Sequence, residues 1–127
     1  MGFGYYMAKE VMREIGNKSR EFYEFILPPV DMILQNDKLI VTIDMPGFDK
    51  KEIKLKLNGN ILSINAKRED EVEGTIIWRQ RPRLIDKKVR LPIEVKDDED
   101  LGASAKYHDG VLTLTIPVKT GKNITIE

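Results

Sequence analysis

The sequence predicts an all-β domain, an antiparallel β-sandwich, with a short N-terminal helical arm and an extended C-terminal tail. Three observations lead to this fold class. The spacing of apolar residues changes from 3.6 to 2 at Val30, turn-forming pairs separate the alternating runs, and no helical pattern lies between those runs. A chain of 127 residues has room for one main core, so a single sandwich is expected.

The arm is predicted over residues 1–27 as one amphipathic helix. Apolar positions recur there every three or four residues, and Pro28-Pro29 must end the helix because proline lacks the backbone donor. No second helix is available in this chain, so the stripe should contact the sandwich or another molecule. The stripe consists of Ala8, Val11 or Met12, Ile15, Ser19, Phe22 and Ile26.

The sandwich is predicted over residues 28–117. Apolar and polar residues alternate there, as expected for strands that bury one face. Asn36-Asp37, Asn58-Gly59 and Asp109-Gly110 tolerate positive φ angles and predict three tight hairpins. The inward positions include Leu39, Val41, Ile43, Ile53, Leu55, Leu57, Leu62, Ile64, Ala66, Ile85, Val89, Leu91, Leu112, Leu114 and Ile116.

Two segments do not fit a closed sandwich. The connection from Glu69 to Arg83 is long enough to be functional and contains a β-prone string, Thr75, Ile76, Ile77 and Trp78. The C-terminal extension, residues 118–127, contains Ile124 and Ile126, which face the same way in an extended chain. One interpretation is a frayed terminus. The spacing, the polar tether before the pair and the low solubility of two exposed isoleucines favour docking in an apolar groove, within reach of a neighbouring subunit, through a contact that is weak alone but strong when repeated around an assembly.

The sequence contains no motif that indicates a catalytic site. The chain has no cysteine, and His108 shares one strand and turn with Ser104 and Asp109, where a catalytic triad could not converge. The acidic run at residues 97–100 lacks calcium-loop ligands at the required positions and is predicted to be a solvated turn. We expect no enzymatic activity, no metal and no cofactor.

The charge balance argues against nucleic acid as a partner. The chain carries 21 Lys and Arg against 21 Asp and Glu, and no glycine-rich loop suits a nucleotide. Trp78, Arg79, Arg81 and Arg83 form its one basic and aromatic cluster. No stretch is apolar enough to span a membrane or to act as a secretory signal, so we expect a cytoplasmic location. The charged fraction of 33% is typical of heat-adapted proteins.

Several motifs resemble the small heat shock proteins with an alpha-crystallin domain, of the short archaeal type. These are the runs at residues 28–32 (PPVDM), 44–48 (DMPGF), 90–92 (RLP) and 105–112 (AKYHDGVL), with the terminal I-x-I at residues 124–126. Asp109 takes a turn position that is commonly Asn in this family, and either residue supports the turn. The signature residues are Ala105, Gly110, Val111, Leu112, Arg90 and Pro92.

The resemblance implies an immunoglobulin-like sandwich that acts as an ATP-independent holdase, stored as a large homo-oligomer. It implies dimers built by exchange of the strand Thr75 to Trp78, and tails whose Ile124 and Ile126 dock between two sandwich edges. Those edges correspond to Ile53, Leu55 and Leu57 and to Ala103, Ala105 and Tyr107. The expected partners are other copies of this chain and unfolding client proteins, with no nucleotide, nucleic acid or membrane span.

Client contact is predicted on the arm, because aromatic and methionine side chains adapt to varied apolar partners, and also in the groove that a departing tail uncovers. An alternative is a sandwich-type co-chaperone, or interaction module, that binds a folded partner stoichiometrically. The candidate client-binding residues are Tyr5, Tyr6, Met7, Met12, Phe22, Tyr23, Phe25 and Ile26.

Overall fold

The computed structural model describes residues 3–69, 71–92, 102–118 and 125–127, with the side chains of Phe3, Tyr5 and Tyr6 excepted. Helix α1 covers Phe3–Ile26. The strands are β1 (Val30–Gln35), β2 (Lys38–Asp44), β3 (Ile53–Asn58), β4 (Ile61–Lys67), β5 (Leu84–Arg90), β6 (Ser104–His108) and β7 (Val111–Pro117). The predicted acidic turn at residues 97–100 lies outside the described residues.

The strands form two antiparallel sheets that face each other. One sheet has the order β1-β2-β7-β6 and the other has the order β3-β4-β5. Their inner faces supply the core, with Val41, Ile43, Ile64 and Ile116 fully buried. Alternation places these residues inward because successive strand side chains point to opposite faces. The predicted sandwich is confirmed.

The three predicted hairpins form, with one small correction. Asn36 and Asp37 both have positive φ between β1 and β2, as do Asp109 and Gly110 between β6 and β7. In the β3–β4 hairpin Asn58 still pairs with Ile61, so the turn residues are Gly59 and Asn60. The turn therefore lies one position later than the Asn58-Gly59 pair predicted.

Helix α1 ends at Ile26, where the chain meets the β5 strand. The Lys87 ammonium group donates to the carbonyl oxygens of Ile26 and Pro28, at 3.1 and 3.2 Å. A cation at this position also complements the partial negative charge of the helix C-terminus. Lys87 therefore ties the base of the arm to the three-stranded sheet.

Candidate functional site

An apolar cleft opens between the two sheets, where β3 and β6 form facing edges. It has a volume of about 220 Å³. Alternation on β3 points Leu55 and Leu57 toward it, while Ala103 and Ala105 on the opposite side are too small to close it. The full lining is Leu55, Leu57, Leu62, Ala103, Ser104, Ala105, Leu114 and Ile116.

Four of the six residues predicted for the tail groove line this cleft, and two do not. Ile53 and Tyr107 pack against the edge of the core instead. The Tyr107 hydroxyl donates to the carbonyl oxygens of Met45 and Phe48. Its ring therefore supports the turn after β2 rather than the cleft.

The floor of the cleft was not predicted from the sequence. It is formed by buried residues of the inner strands, including Leu62 and Leu114. Leu62 is the β4 partner of Leu57, and Leu114 is the β7 partner of Ala105. Hairpin pairing could have predicted both residues, because directly paired residues of antiparallel strands lie on the same face of a sheet.

The C-terminal motif is only partly described. Ile126 has 94% of its surface exposed, and Ile124 lies outside the described residues. An isoleucine this exposed makes almost no apolar contact within its own chain. The predicted docking of Ile124 and Ile126 on a neighbour therefore stays a prediction.

The arm contacts the sandwich through its polar face. Arg13, Gly16, Arg20 and Glu24 recur every three or four residues and so share one side of the helix. The Arg13 Nε donates to the carbonyl of Ile76 at 3.3 Å, and Glu24 accepts from the backbone N–H of Arg83 at 2.9 Å.

Gly16 sits at the closest approach between the arm and the long β4–β5 connection. A Cβ there would lie 3.1 Å from the backbone nitrogen of Arg79 and 3.5 Å from the Trp78 ring. Glycine lets the helix lie this near because it has no side chain. The Arg20 guanidinium, 3.8 Å from the Glu24 carboxylate, strengthens the same face.

The apolar face of the arm is consequently turned to solvent. Among the predicted client-binding residues with described side chains, every one is exposed, and Phe25 reaches 83%. The side chains of Tyr5 and Tyr6 lie outside the described set. Contiguous apolar surface of this kind marks interaction sites in soluble proteins. The exposed set is Met7, Val11, Met12, Ile15, Phe22, Tyr23, Phe25 and Ile26.

The predicted exchange strand lies beside the arm. Thr75 to Trp78 form no strand within this chain, and Ile77 and Trp78 remain substantially exposed. The only hydrogen bond described for this string outside its own loop is the one from Arg13 to Ile76. A β-prone segment with so few partners has backbone groups free to pair elsewhere.

The family-signature residues have structural roles where they are described. Gly110 has a φ of +77°, and a Cβ there would lie 3.0 Å from the Cα of Pro46. A side chain at position 110 would strain the β6–β7 turn and push it away from the turn that contains Pro46, after β2. Ala105, Val111 and Leu112 belong to the same hairpin, Arg90 ends β5, and Pro92 follows two residues later.

Polar groups form no catalytic arrangement in the described part of the chain. His108 pairs with Asp109 at 3.0 Å, and both side chains are exposed. No group of three His, Asp or Glu suited to a metal ion occurs among the described residues. The hydrogen bond and charge of Lys67 lower the pKa of Glu69, but this pair lies at the surface.

None of the helical segments within the described residues is long and apolar enough to cross a membrane.

Solved structures share this two-sheet topology. A variant of hsp14.1 from Sulfolobus solfatataricus P2 is 44% identical, with a TM-score of 0.77, covering 94% of this chain and 97% of that chain. Heat shock protein 16.0 from Schizosaccharomyces pombe is 23% identical, with a TM-score of 0.59, covering 80% and 99% of the two chains. The fold is thus that of the small heat shock proteins.

Sequence comparison gives the family. The model of the Hsp20/alpha crystallin family matches residues 31–127, and the chain belongs to this family. The 18 kDa heat shock protein of Clostridium acetobutylicum is 36% identical over 95 residues, which cover 71% of this chain and 61% of the relative. The chain spans less than two thirds of the length of the first curated relatives it matches. The resemblance to the short archaeal type is confirmed.

Proposed function

We propose that this protein is an ATP-independent holdase, which captures partly unfolded proteins and prevents their aggregation under heat stress. The observation that carries the proposal is the outward apolar face of α1, from Met7 to Ile26. Exposure of this much contiguous apolar surface to water is unfavourable unless the surface binds another molecule. Unfolding clients expose apolar segments of varied shape, which flexible methionine and broad aromatic side chains can match. Membership of the chaperone family supports the proposal.

Storage in a homo-oligomer follows from the cleft and the tail. We place Ile124 and Ile126 of one subunit in the β3–β6 cleft of a neighbour, against Leu55, Leu57 and Ala105. Full burial of an isoleucine contributes about 1.5 to 3 kcal/mol, less the cost of ordering the tail. One such contact is reversible, whereas many in a closed assembly hold it together.

Dimers form, in this proposal, by exchange of Thr75 to Trp78. The acceptor is the open edge of a neighbour's sheet, and β1 suits this role because it carries the exposed side chains of Ile33 and Leu34. An added strand satisfies the unpaired backbone groups of an edge.

Heating makes client-binding surfaces of this protein accessible in two places. Freed tails gain conformational entropy and uncover the cleft, and freed arms gain it too and move with their exposed apolar faces away from the sandwich. Both surfaces then become accessible in the cytoplasm, where stressed proteins unfold. No step requires nucleotide or catalysis.

Light scattering from a heated reporter enzyme such as citrate synthase tests the holdase. Without nucleotide, stoichiometric amounts of the protein should suppress most of the scattering. A double substitution, Phe22→Ser with Phe25→Ser, should lose at least half of that suppression because it removes exposed aromatic surface from the arm.

The matched control is Glu14→Gln with Lys18→Gln, which removes an exposed ion pair from the same helix and leaves its apolar area intact. This control should suppress scattering as the wild type does. No suppression by the wild type, together with a stoichiometric complex with a folded partner, would favour the co-chaperone alternative.

A further inference from the structure

The two sheets differ in the charge of their outer faces. In the three-stranded sheet, the inward residues are mainly apolar and the outward residues are mainly polar or charged. Asp86 is the single acidic residue of these three strands, all of which the structure describes. The basic residues that point outward with it are Lys54, Lys56, Lys67, Lys88 and Arg90.

The outer face of the four-stranded sheet is balanced by comparison. Its strands carry Asp31 and Asp44 against Lys38 and Lys106, and all four side chains are exposed. The chain as a whole has equal numbers of basic and acidic residues. The excess of positive charge is therefore local to the outer face of β3, β4 and β5.

Most of these outward cations have no acidic partner within the described ranges. Lys67 pairs with Glu69 at 3.0 Å. The others are exposed, and none of them forms an ion pair with a carboxylate of the described residues. We call the surface that they form the basic face, which consists of Lys54, Lys56, Lys88 and Arg90.

Strand pairing arranges the basic face in two rows. Lys56 pairs with Ser63 and Ser63 pairs with Lys88, so the two lysines lie two strand spacings, or about 10 Å, apart. Lys54 adds a second cation to the row on β3, and Arg90 adds one to the row on β5, each about 7 Å along its strand. Between the rows, β4 presents short uncharged side chains such as that of Ser63.

Protection of the sheet edges does not account for this excess. Lysine on an edge strand hinders pairing with a further strand. The edge strands of the other sheet are β1 and β6, and Lys106 is the only lysine in the two. A negatively charged partner would account for the rows on β3 and β5.

The basic face stays open in the proposed dimer and when a tail is docked. Leu55 and Leu57 line the cleft, whereas Lys54 and Lys56 alternate with them and point to the other side of β3. The acceptor proposed for the exchanged strand is β1, which belongs to the other sheet. No residue of the basic face lies in the β4–β5 connection, so strand exchange does not carry it away.

An extended acidic polypeptide matches this surface. Side chains on one side of an extended chain recur about every 7 Å, which is also the spacing of outward residues along β3 and β5. Lysine, which predominates here, is a compact charge and lacks the planar fork with which arginine binds phosphate in pairs of hydrogen bonds. The three strands, described in full, present no outward aromatic ring on which a base could stack.

We propose that the basic face docks acidic segments of unfolding proteins, so that the protein prefers clients of negative net charge. This inference rests on the proposed holdase function and extends it by naming a class of client. The arm binds apolar segments, while the basic face attracts carboxylates that lie near them in the client. Contacts between exposed charges are individually weak and screened by salt, so their main effect is on the rate of encounter.

Fluorescence anisotropy of labelled poly-L-glutamate tests the basic face directly. At neutral pH this polymer is extended by its own charge repulsion. The full-length protein, in its native assembly, should bind it saturably at low ionic strength. The double variant Lys56→Gln with Lys88→Gln should bind it several-fold more weakly, because it removes one cation from each row.

The matched control is Lys38→Gln with Lys106→Gln, which removes the same charge from the outer face of the other sheet. It should bind poly-L-glutamate as the wild type does. Circular dichroism and the melting temperature verify that both variants fold. An equal loss of binding in the two variants would contradict the site, because it would show an effect of net charge alone.

Two clients of the same fold and opposite net charge then test client preference. These are α-lactalbumin, which is acidic, and hen lysozyme, which is basic. Dithiothreitol makes both aggregate and leaves this chain unaltered, since it has no cysteine. Suppression of α-lactalbumin scattering should require several-fold more of the Lys56→Gln, Lys88→Gln variant than of the wild type, with no increase for lysozyme. Lys56→Glu with Lys88→Glu should shift the preference toward lysozyme.

The outcomes separate this proposal from the holdase itself. Equal suppression of both clients by the wild type and by the double variant would overturn the client preference and leave the holdase intact. Suppression of neither client, with poly-L-glutamate still bound through Lys56 and Lys88, would contradict the holdase and leave the docking of acidic chains in place. Tighter binding of a single-stranded oligonucleotide, or of phosphatidylglycerol vesicles, through the same two lysines would overturn the proposal in favour of a nucleic acid or a lipid.

Discussion

The sandwich and the arm treat their apolar residues in opposite ways. Both are amphipathic, yet the two sheets enclose Val41, Ile43 and Ile64 completely, whereas α1 lays its polar face on the body and presents Ile15 and Phe25 to water. Apolar surface is therefore assigned to two tasks in one chain. The sheets use it to stabilise the fold, and the arm leaves it available to other molecules.

Matched isoleucines give the sharpest test of this contrast. Ile64 is fully buried, and Ile15 has 49% of its surface exposed. Ile64→Ala should lower the free energy of unfolding by about 2 to 5 kcal/mol, since it removes core contacts and leaves a cavity. Ile15→Ala should change it by less than about 0.5 kcal/mol, as at other surface positions.

Urea denaturation at one fixed protein concentration measures both changes, because assembly contributes to apparent stability. A loss at Ile15 as large as the loss at Ile64 would mean that the arm is buried in the native assembly. The contrast between the two regions would then hold only for the single chain.

The second prediction concerns the tail and the cleft. Replacing Ile124 and Ile126 by Ala should reduce the assembly to dimers. The substitutions remove most of the apolar burial of the tail contact, to which each isoleucine contributes about 1.5 to 3 kcal/mol. Size-exclusion chromatography with light scattering gives the particle mass. An unchanged large particle would refute the tail mechanism, and Thr125→Ala serves as the control with the apolar pair intact.

The smallest expected effect is at the polar contact of the arm. Glu24→Gln should weaken the charge-assisted hydrogen bond from the Arg83 backbone and the ion pair with Arg20, at a cost of about 1 kcal/mol. Amide exchange in α1 should then become several-fold faster, while exchange in β2 and β7 stays the same. Glu14→Gln, on the exposed side of the same helix, should leave both rates unchanged.

Much of the sandwich was predictable because its signals are local. Alternation at Leu39, Val41 and Ile43 and the positive-φ pairs Asn36-Asp37 and Asp109-Gly110 determine strands and hairpins within a few residues. Only the β3–β4 turn was displaced, by one position, since Gly59 and Asn60 can both close it.

The orientation of the arm could not be derived from its periodicity. The stripe shows that α1 is amphipathic, but not which side meets the sandwich. That side is determined by contacts of Arg13, Gly16 and Glu24 with backbone atoms of the β4–β5 connection. These partners lie about sixty positions away in the sequence.

The cleft shows a mixture of the two cases. Leu55 and Ala105 were assigned through the family resemblance, while its floor at Leu62 and Leu114 depends on how the two sheets stack. Tyr107 lies on the predicted strand, yet its hydroxyl group reaches the carbonyls of Met45 and Phe48. A strand position alone does not reveal such a long-range partner.

Lys87 anchors the C-terminal end of the arm helix to β5. Its ammonium group holds the carbonyls of Ile26 and Pro28 beside β5, so the base of the helix stays in place. A helix of 24 residues is about 36 Å long, and any change of tilt displaces its far end most. If the contacts of Arg13 and Gly16 with the β4–β5 connection were lost, a small change of tilt at this base would therefore displace Met7 and Val11 far more than Ile26.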